Sequence, residues 1–134
     1  MHLESLLRDK IYIEENTHNI YKKLKEELKL FHTMKDLFLV AAAIGFYNQK
    51  REPLEKKKDI FTKNIFDKEK DIPFIYILAL ADRNDKEAVI IDVLSIVEEY
   101  ANAGIKILAD IVKNSTNKRE AIDEFTAFLI EKFG

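Results

Sequence analysis

The chain has 134 residues, of which 47% are hydrophobic, and its 22 basic and 24 acidic side chains give a net charge of −2. This length is enough for one domain with its own hydrophobic core, and the charge excludes a uniformly cationic protein. Cysteine is absent, which excludes disulfides and thiolate metal sites and is typical of a reducing cytosol.

The first 47 residues predict three helices. We expect one around Leu3 to Ile13. Thr17 is the candidate N-cap of a second helix, whose apolar residues recur at three- and four-residue steps. Those residues are Ile20, Leu24, Leu28 and Phe31. Thr33, followed three residues later by Asp36, resembles a capping signal for a third helix from Met34 to about Tyr47.

The middle of the chain predicts a loop and a further helix. Residues 48–66 have no clear periodicity and contain Pro53, so we expect a loop with a short extended piece at residues 59–66. Asp71 can cap a helix in which Pro73 falls in the first turn. Proline is tolerated there because the first backbone N–H groups of a helix have no partner inside it.

Two capping boxes mark the remaining helices, Asn84 with Glu87 and Asn117 with Glu120. The first precedes a long helix with the apolar stripe Ile90, Leu94, Val97, Ala101, Ile105, Leu108 and Val112. The second precedes the last helix, with Ile122, Phe125 and Leu129 on one face. Together these patterns predict a compact all-α bundle of about six helices, forming a single domain over residues 1–134.

Small residues predict a close helix–helix contact. Gly104 and Ala101 lie within the segment "EYANAGIKIL", and Gly45 lies near the end of the helix that precedes the loop. Since small side chains allow two helices to approach closely, we assign these three residues to packing. An oversized side chain at Gly104 is expected to lower stability.

Charge is spread unevenly along the chain. Residues 17–63 hold eleven Lys or Arg and six Asp or Glu, whereas residues 64–134 hold nine and fourteen. This asymmetry favours a basic face for an anionic partner. The candidate partner- or DNA-binding residues are Tyr47, Asn48, Gln49, Lys50, Arg51, Lys56, Lys57 and Lys58. Because Glu52, Glu55 and Asp59 interrupt the cluster, an ordinary solvated loop is the alternative.

The sequence offers little for catalysis. His18 and His32 would lie about 21 Å apart on a continuous helix, so they cannot share a metal ion unless the chain folds back. No nucleophile elbow and no phosphate-binding loop occurs. Residues 55–57 match half of a nuclease signature, but residues 27–29 match it equally well. We therefore expect no catalytic residue, no metal and no cofactor.

Two stretches carry a family resemblance, "MKDLFLVAAAIGFYNQKREPL" at residues 34–54 and "EEYANAGIKILADIV" at residues 98–112. In this order they resemble the DNA phosphorothioation-associated proteins of the Dnd type, namely Dnd system-associated protein 4. The resemblance implies bacterial systems that place sulfur in the DNA backbone and restrict unmodified DNA, as in phage defence. It supplies no catalytic residue.

The resemblance implies a cytoplasmic accessory protein, and two roles remain open. One is a non-enzymatic interaction module whose partners are proteins of the DNA modification and restriction complex. The other is a DNA-binding accessory or regulator that contacts the DNA backbone through residues 50–58, and a small nuclease is less favoured. No membrane segment is expected, because the longest apolar run, residues 37–46, is half the roughly 20 residues that span a bilayer.

Overall fold

The computed structural model describes residues 3–82 and 92–133, which are mostly helical but include a small sheet. The α-helices of this part of the chain are α1 (His18–Lys22), α2 (Met34–Tyr47), α3 (Asp71–Asp82), α4 (Val93–Ile111) and α5 (Lys118–Phe133). The strands are β1 (Lys10–Glu14) and β2 (Lys57–Thr62), which pair antiparallel. The mostly helical prediction is confirmed. The all-α class and the count of about six helices are wrong.

The N-terminal helix predicted from Leu3 to Ile13 is not formed. A 3-10 turn over Leu3–Leu6 is followed by β1, in which Ile11 and Ile13 are buried. Their alternation with Tyr12 suits a half-buried strand, but a strand of five residues needs a partner to be stable. That partner is β2, inside the predicted loop 48–66. It overlaps the extended piece expected at residues 59–66.

The second helix is shorter than its apolar spacing predicts. After α1 the backbone makes a π-helical turn over Lys23–Glu27, and Lys29 then takes a φ of 52°. This left-handed conformation ends the helix before Phe31. Thr17 does not cap the helix through its side chain, because its hydroxyl donates to the Glu14 carbonyl at 2.7 Å.

Capping at α2 follows the sequence prediction. The Thr33 hydroxyl oxygen accepts from the backbone N–H of Asp36 at 3.1 Å, and the helix runs from Met34 to Tyr47. The next helix, α3, begins at Asp71 and has Pro73 in its first turn, as predicted. The Asp71 side chain does not cap it as expected, because its carboxylate accepts from the N–H of Asp67, four residues earlier, at 2.8 Å.

The core is built around α4. Asp92 caps this helix by accepting from the backbone N–H of Leu94 at 3.0 Å. The described part of the predicted stripe, Leu94 to Val112, is buried, and α2, α3 and β1 pack against the helix. The capping pair Asn84 and Glu87 lies outside the described residues, as does Ile90 in the stripe.

The last helix has its predicted cap but is only lightly packed. The Asn117 side-chain oxygen accepts from the backbone N–H of Glu120 at 3.0 Å, and the Glu120 carboxylate reaches back to the N–H of Thr116 at 2.8 Å. On the predicted apolar face Phe125 is half-buried, whereas Ile122 and Leu129 are exposed. Over the residues described, no helix combines the length and apolar character needed to cross a membrane.

Candidate functional site

The C-terminal end of α2 fixes the first part of the predicted basic site. Gln49 has a φ of 56°, and the N–H groups of Gln49 and Lys50 donate to the carbonyls of Phe46 at 3.0 Å and Gly45 at 2.9 Å. This pattern is the Schellman motif that ends many helices. The Asn48 side chain donates to a carbonyl in the last turn of α2 at 2.8 Å. Both Asn48 and Gln49 therefore contribute to ending the helix.

Arg51 is engaged inside the molecule. Its Nε lies 2.8 Å from Glu99 Oε1 on α4, and its Nη1 lies 2.6 Å from Asp82 Oδ2 at the end of α3. The Tyr100 hydroxyl also donates to Asp82, and burial together with this hydrogen bond raises the pKa of Tyr100 to about 12. Arg51 thus joins α3 and α4. Because two carboxylates already bind its guanidinium, this group is less available to a partner than the basic run in the sequence suggests.

The residues after Arg51 run along α4. The backbone N–H of Glu52 donates to the Glu99 carbonyl at 3.1 Å, and the Glu52 carboxylate lies 2.6 Å from Lys106 Nζ. The Asn102 side chain donates to the carbonyls of Glu52 and Pro53, each at 3.3 Å. These contacts hold the predicted loop against the central helix, so it is an ordered part of the fold.

Glu14 orders the next part of the segment. Its two carboxylate oxygens accept from the backbone N–H groups of Glu55 at 2.6 Å and Lys56 at 2.9 Å, and the N–H of Glu15 donates to the Lys56 carbonyl at 2.8 Å. These hydrogen bonds to the charged form lower the pKa of Glu14. The backbone that carries Lys56 is therefore fixed beside the end of β1.

Lys56, Lys57 and Lys58 keep their charges unpaired. Within residues 3–82 and 92–133, no carboxylate oxygen lies within 4.0 Å of their ammonium groups. In the ladder Lys57 stands opposite Glu14, and its Nζ lies 5.8 Å from the centre of the Tyr12 ring. Since neighbouring side chains of a strand point to opposite faces, Lys58 lies on the other side of the β1–β2 ribbon from Lys57.

His18 lies near Lys58, although the sequence indicates only a lone surface histidine. Partial burial lowers the pKa of His18, and the charges of Lys22 and Lys58 lower it further. The spacing of His18 and Lys22, one helical turn, was a usable sequence signal. The proximity of Lys58 to His18 could not be inferred from the sequence, because it depends on the pairing of β1 with β2.

The three residues assigned to packing lie where α2 crosses α4. A Cβ atom at Gly104 would overlap the carbonyl oxygen of Ala41, and one at Gly45 would overlap the carbonyl oxygen of Tyr100. Ala101 is buried beside them. The two helix backbones are therefore in direct contact at this crossing.

A buried ion pair joins the N-terminal segment to α4. Arg8 Nη1 and Nη2 lie 2.7 and 2.6 Å from the two carboxylate oxygens of Glu98, and Arg8 Nε lies 2.7 Å from Asp92 Oδ2. The backbone N–H of Tyr12 also donates to Glu98 at 2.6 Å. Because these contacts are all within the chain, this network positions β1. Among the residues described, no three His, Asp or Glu side chains are grouped so that they could hold a metal ion.

An apolar cleft of about 250 Å³ lies between α2 and α5. It is lined by Val40, Ala43, Ile44, Tyr47, Asn48, Phe125, Phe128 and Leu129. Tyr47, assigned from the sequence to partner or DNA binding, is exposed at one wall of this cleft. The structure therefore associates Tyr47 with an apolar surface.

The chain was compared with known proteins and protein families. No curated protein and no solved structure gives a significant match. A family model described as DNA sulphur modification system-associated protein 4 matches residues 10–131. Both stretches that carry the sequence resemblance fall inside this range. Because the match covers nearly the whole chain, the protein belongs to the DNA sulphur modification system-associated protein 4 family.

Proposed function

We propose that this protein is a non-enzymatic, cytoplasmic accessory of a bacterial DNA phosphorothioation system and acts as an interaction module for other proteins of that system. Its family is named for association with DNA sulphur modification. The observation that carries the proposal is an apolar surface on α5 that the rest of the described chain leaves uncovered.

The uncovered surface follows one side of α5. Ile122 is 42% exposed, Leu129 is 39% exposed and Ile130 is 65% exposed, whereas Ala121, about 100° around the helix from Ile122, is fully buried. Large apolar side chains in a row on a surface are typical of sites that bind another protein. The partner we propose is a protein of the modification system.

The cleft beside α5 indicates what the partner presents. Its walls come from two helices, α2 and α5, and are almost entirely apolar. A groove of this kind accepts the apolar side chains of an amphipathic helix, in the helix-in-groove mode of recognition. Phe125 and Phe128 supply aromatic walls, and aromatic residues are enriched at the centres of protein interfaces.

The test is co-purification of the full chain with the other proteins of its modification system. The test variant is Ile122→Asp with Leu129→Asp, which places two charges on the α5 surface. The matched control is Ile77→Asp with Leu80→Asp on α3, where the same two residue types are 65% and 50% exposed. A charge buried at an interface is costly, so the α5 variant is expected to lose the partner while the α3 variant keeps it.

Unfolding curves of both variants show whether the fold is kept. Partner binding that survives in a folded α5 variant would contradict the proposal. Loss of the partner in the α3 variant alone would move the interface to α3.

A further inference from the structure

Besides its apolar surface, the protein has a compact group of cations on the β1–β2 ribbon and α1. We propose that Lys56, Lys58 and Lys22 form a binding surface for the phosphodiester backbone of DNA. This surface is separate from α5 and does not depend on the proposed protein interaction.

The backbone geometry places the two ribbon lysines on one side. The Lys56 carbonyl accepts from the N–H of Glu15, which continues the ladder one residue beyond β2, and Lys58 stands opposite Ile13. Residues two apart along an extended chain share a face. The Glu14 carboxylate fixes the Lys56 backbone, and Lys58 belongs to β2, so both lysines are carried by ordered backbone. Lys56 is exposed and Lys58 is half-buried.

The short connection from β1 to α1 brings α1 next to the end of the ribbon. The chain turns through Glu15–Thr17, and α1 begins at His18. Partial burial lowers the pKa of His18, and the charges of Lys22 and Lys58 lower it further, so His18 lies near both lysines. Lys22 is exposed one turn further along the helix.

The three lysines leave this surface net positive, because in the part of the chain that the structure describes only two carboxylates are placed beside it: Glu15, which stands opposite Lys56 in the extended ladder, and Glu26, which acts on His18. The described residues provide no carboxylate within 4.0 Å of Lys22, Lys56 or Lys58. Glu26 acts on His18 in the opposite sense to the lysines, but as the weakest of the four influences. Asp59 lies on the other face of the strand, 3.9 Å from Lys10.

Two cations of the predicted cluster, Arg51 and Lys57, do not belong to the proposed DNA-binding surface. Arg51 is paired with carboxylates of α3 and α4, and Lys57 faces the Tyr12 ring on the opposite side of the ribbon. Lysine contacts to phosphate depend on charge and carry no base information. The expected binding is therefore independent of DNA sequence and weakens with salt, with log K falling by about 0.9 for each phosphate neutralised.

The test is a fluorescence anisotropy titration of a labelled duplex of arbitrary sequence with the full chain, between about 50 and about 200 mM salt. The test variant is Lys22→Glu with Lys58→Glu. The matched control is Lys70→Glu with Lys132→Glu, two exposed lysines on other elements that give the same change in net charge. Thermal unfolding confirms that each protein is folded.

We expect the wild type and the control to bind with similar salt slopes. The test variant is expected to bind more weakly, with a slope shallower by about 1.8 because two phosphate contacts are lost. Three outcomes would overturn the proposal. These are no binding by the wild type at low salt, unchanged binding by the folded test variant, and equal losses in the test and control variants. No partner protein is present in the titration, so its result is independent of the co-purification experiment.

Discussion

At the scale of single residues, neighbours of similar charge have different roles. Arg51 and Lys58 belong to one basic cluster in the sequence. Arg51 forms an ion pair with Glu99, whereas Lys58 has no carboxylate within 4.0 Å among the described residues. The difference arises from which element each residue contacts after folding. A count of cations predicts that a basic surface exists but does not identify the side chains that form it.

Glu14 gives a pH-dependent prediction at this scale. Its two oxygens accept from two backbone N–H groups, whereas the amide of Glu14→Gln offers one acceptor and one donor. We expect the variant to lose on the order of 2 kcal/mol at pH 7, the range for hydrogen bonds to a charged group. The folded-state pKa of Glu14 lies below its ordinary value of 4.5. Its contribution is therefore present above that value and lost as pH falls through the folded-state pKa.

Denaturant unfolding at pH 7 and at pH 3 checks this prediction. The difference between wild type and Glu14→Gln should shrink at the lower pH, because a protonated carboxyl resembles the amide. Glu55→Gln is the control, since Glu55 is exposed on the same segment and should change stability by less than about 0.5 kcal/mol. A difference that grows toward acid pH would be inconsistent with the assigned role.

At the scale of elements, the capping signals of α2 and α5 are confirmed, whereas the side-chain cap at Thr17 and the helix predicted over β1 are not formed. Thr33 and Asp36 cap α2 as their spacing predicts, because capping depends on four consecutive residues. The strand β1 was predicted as helix, because its stability comes from pairing with β2 far along the chain. The lysine surface around His18, formed by Lys22, Lys56 and Lys58, depends on the same pairing. For that reason the sequence indicated the basic residues of β2 but not their neighbours on α1.

The crossing of α2 and α4 gives the prediction for this scale. Gly45→Ala and Gly104→Ala each gain about 1 kcal/mol of helix propensity. Each also places a methyl group into the backbone of the facing helix, which cannot yield without moving that helix. We expect a net loss of about 1–3 kcal/mol for each change. The double variant should lose less than the sum, because helices already separated accommodate the second methyl group.

Thermal or denaturant unfolding measures these losses, with Thr126→Ala on exposed α5 as the control for an ordinary helix substitution. Strict additivity would mean that the two glycines do not share one contact. Unchanged stability in both single variants would mean that the helices are not closely packed there.

At the scale of the whole molecule, part of the charge asymmetry along the sequence is neutralised by ion pairs within the fold. Basic residues from the middle of the chain pair with acidic residues of the C-terminal half, as Arg51 does with Asp82 and Lys35 does with Asp71 at 2.8 Å. The basic face predicted from segment charges is therefore smaller than the segment totals suggest. Packing is also uneven, because α4 is enclosed by α2, α3 and β1, whereas α5 lies at the edge.

This uneven packing predicts a graded pattern of amide hydrogen exchange. Amides exchange slowly where opening the helix would expose a buried core, and quickly where little is buried. We therefore expect the slowest exchange in α4 and in the part of α2 that crosses it, and much faster exchange along α5.

Adding the partner protein should slow exchange in α5 more than in α3, because the partner would cover the surface around Ile122 and Leu129. Equal protection of α4 and α5 in the free protein would mean that α5 is stabilised by contacts other than those described. Protection by the partner confined to β2 and α1 would place the protein interface on the cationic surface, and duplex DNA would then compete with the partner for binding.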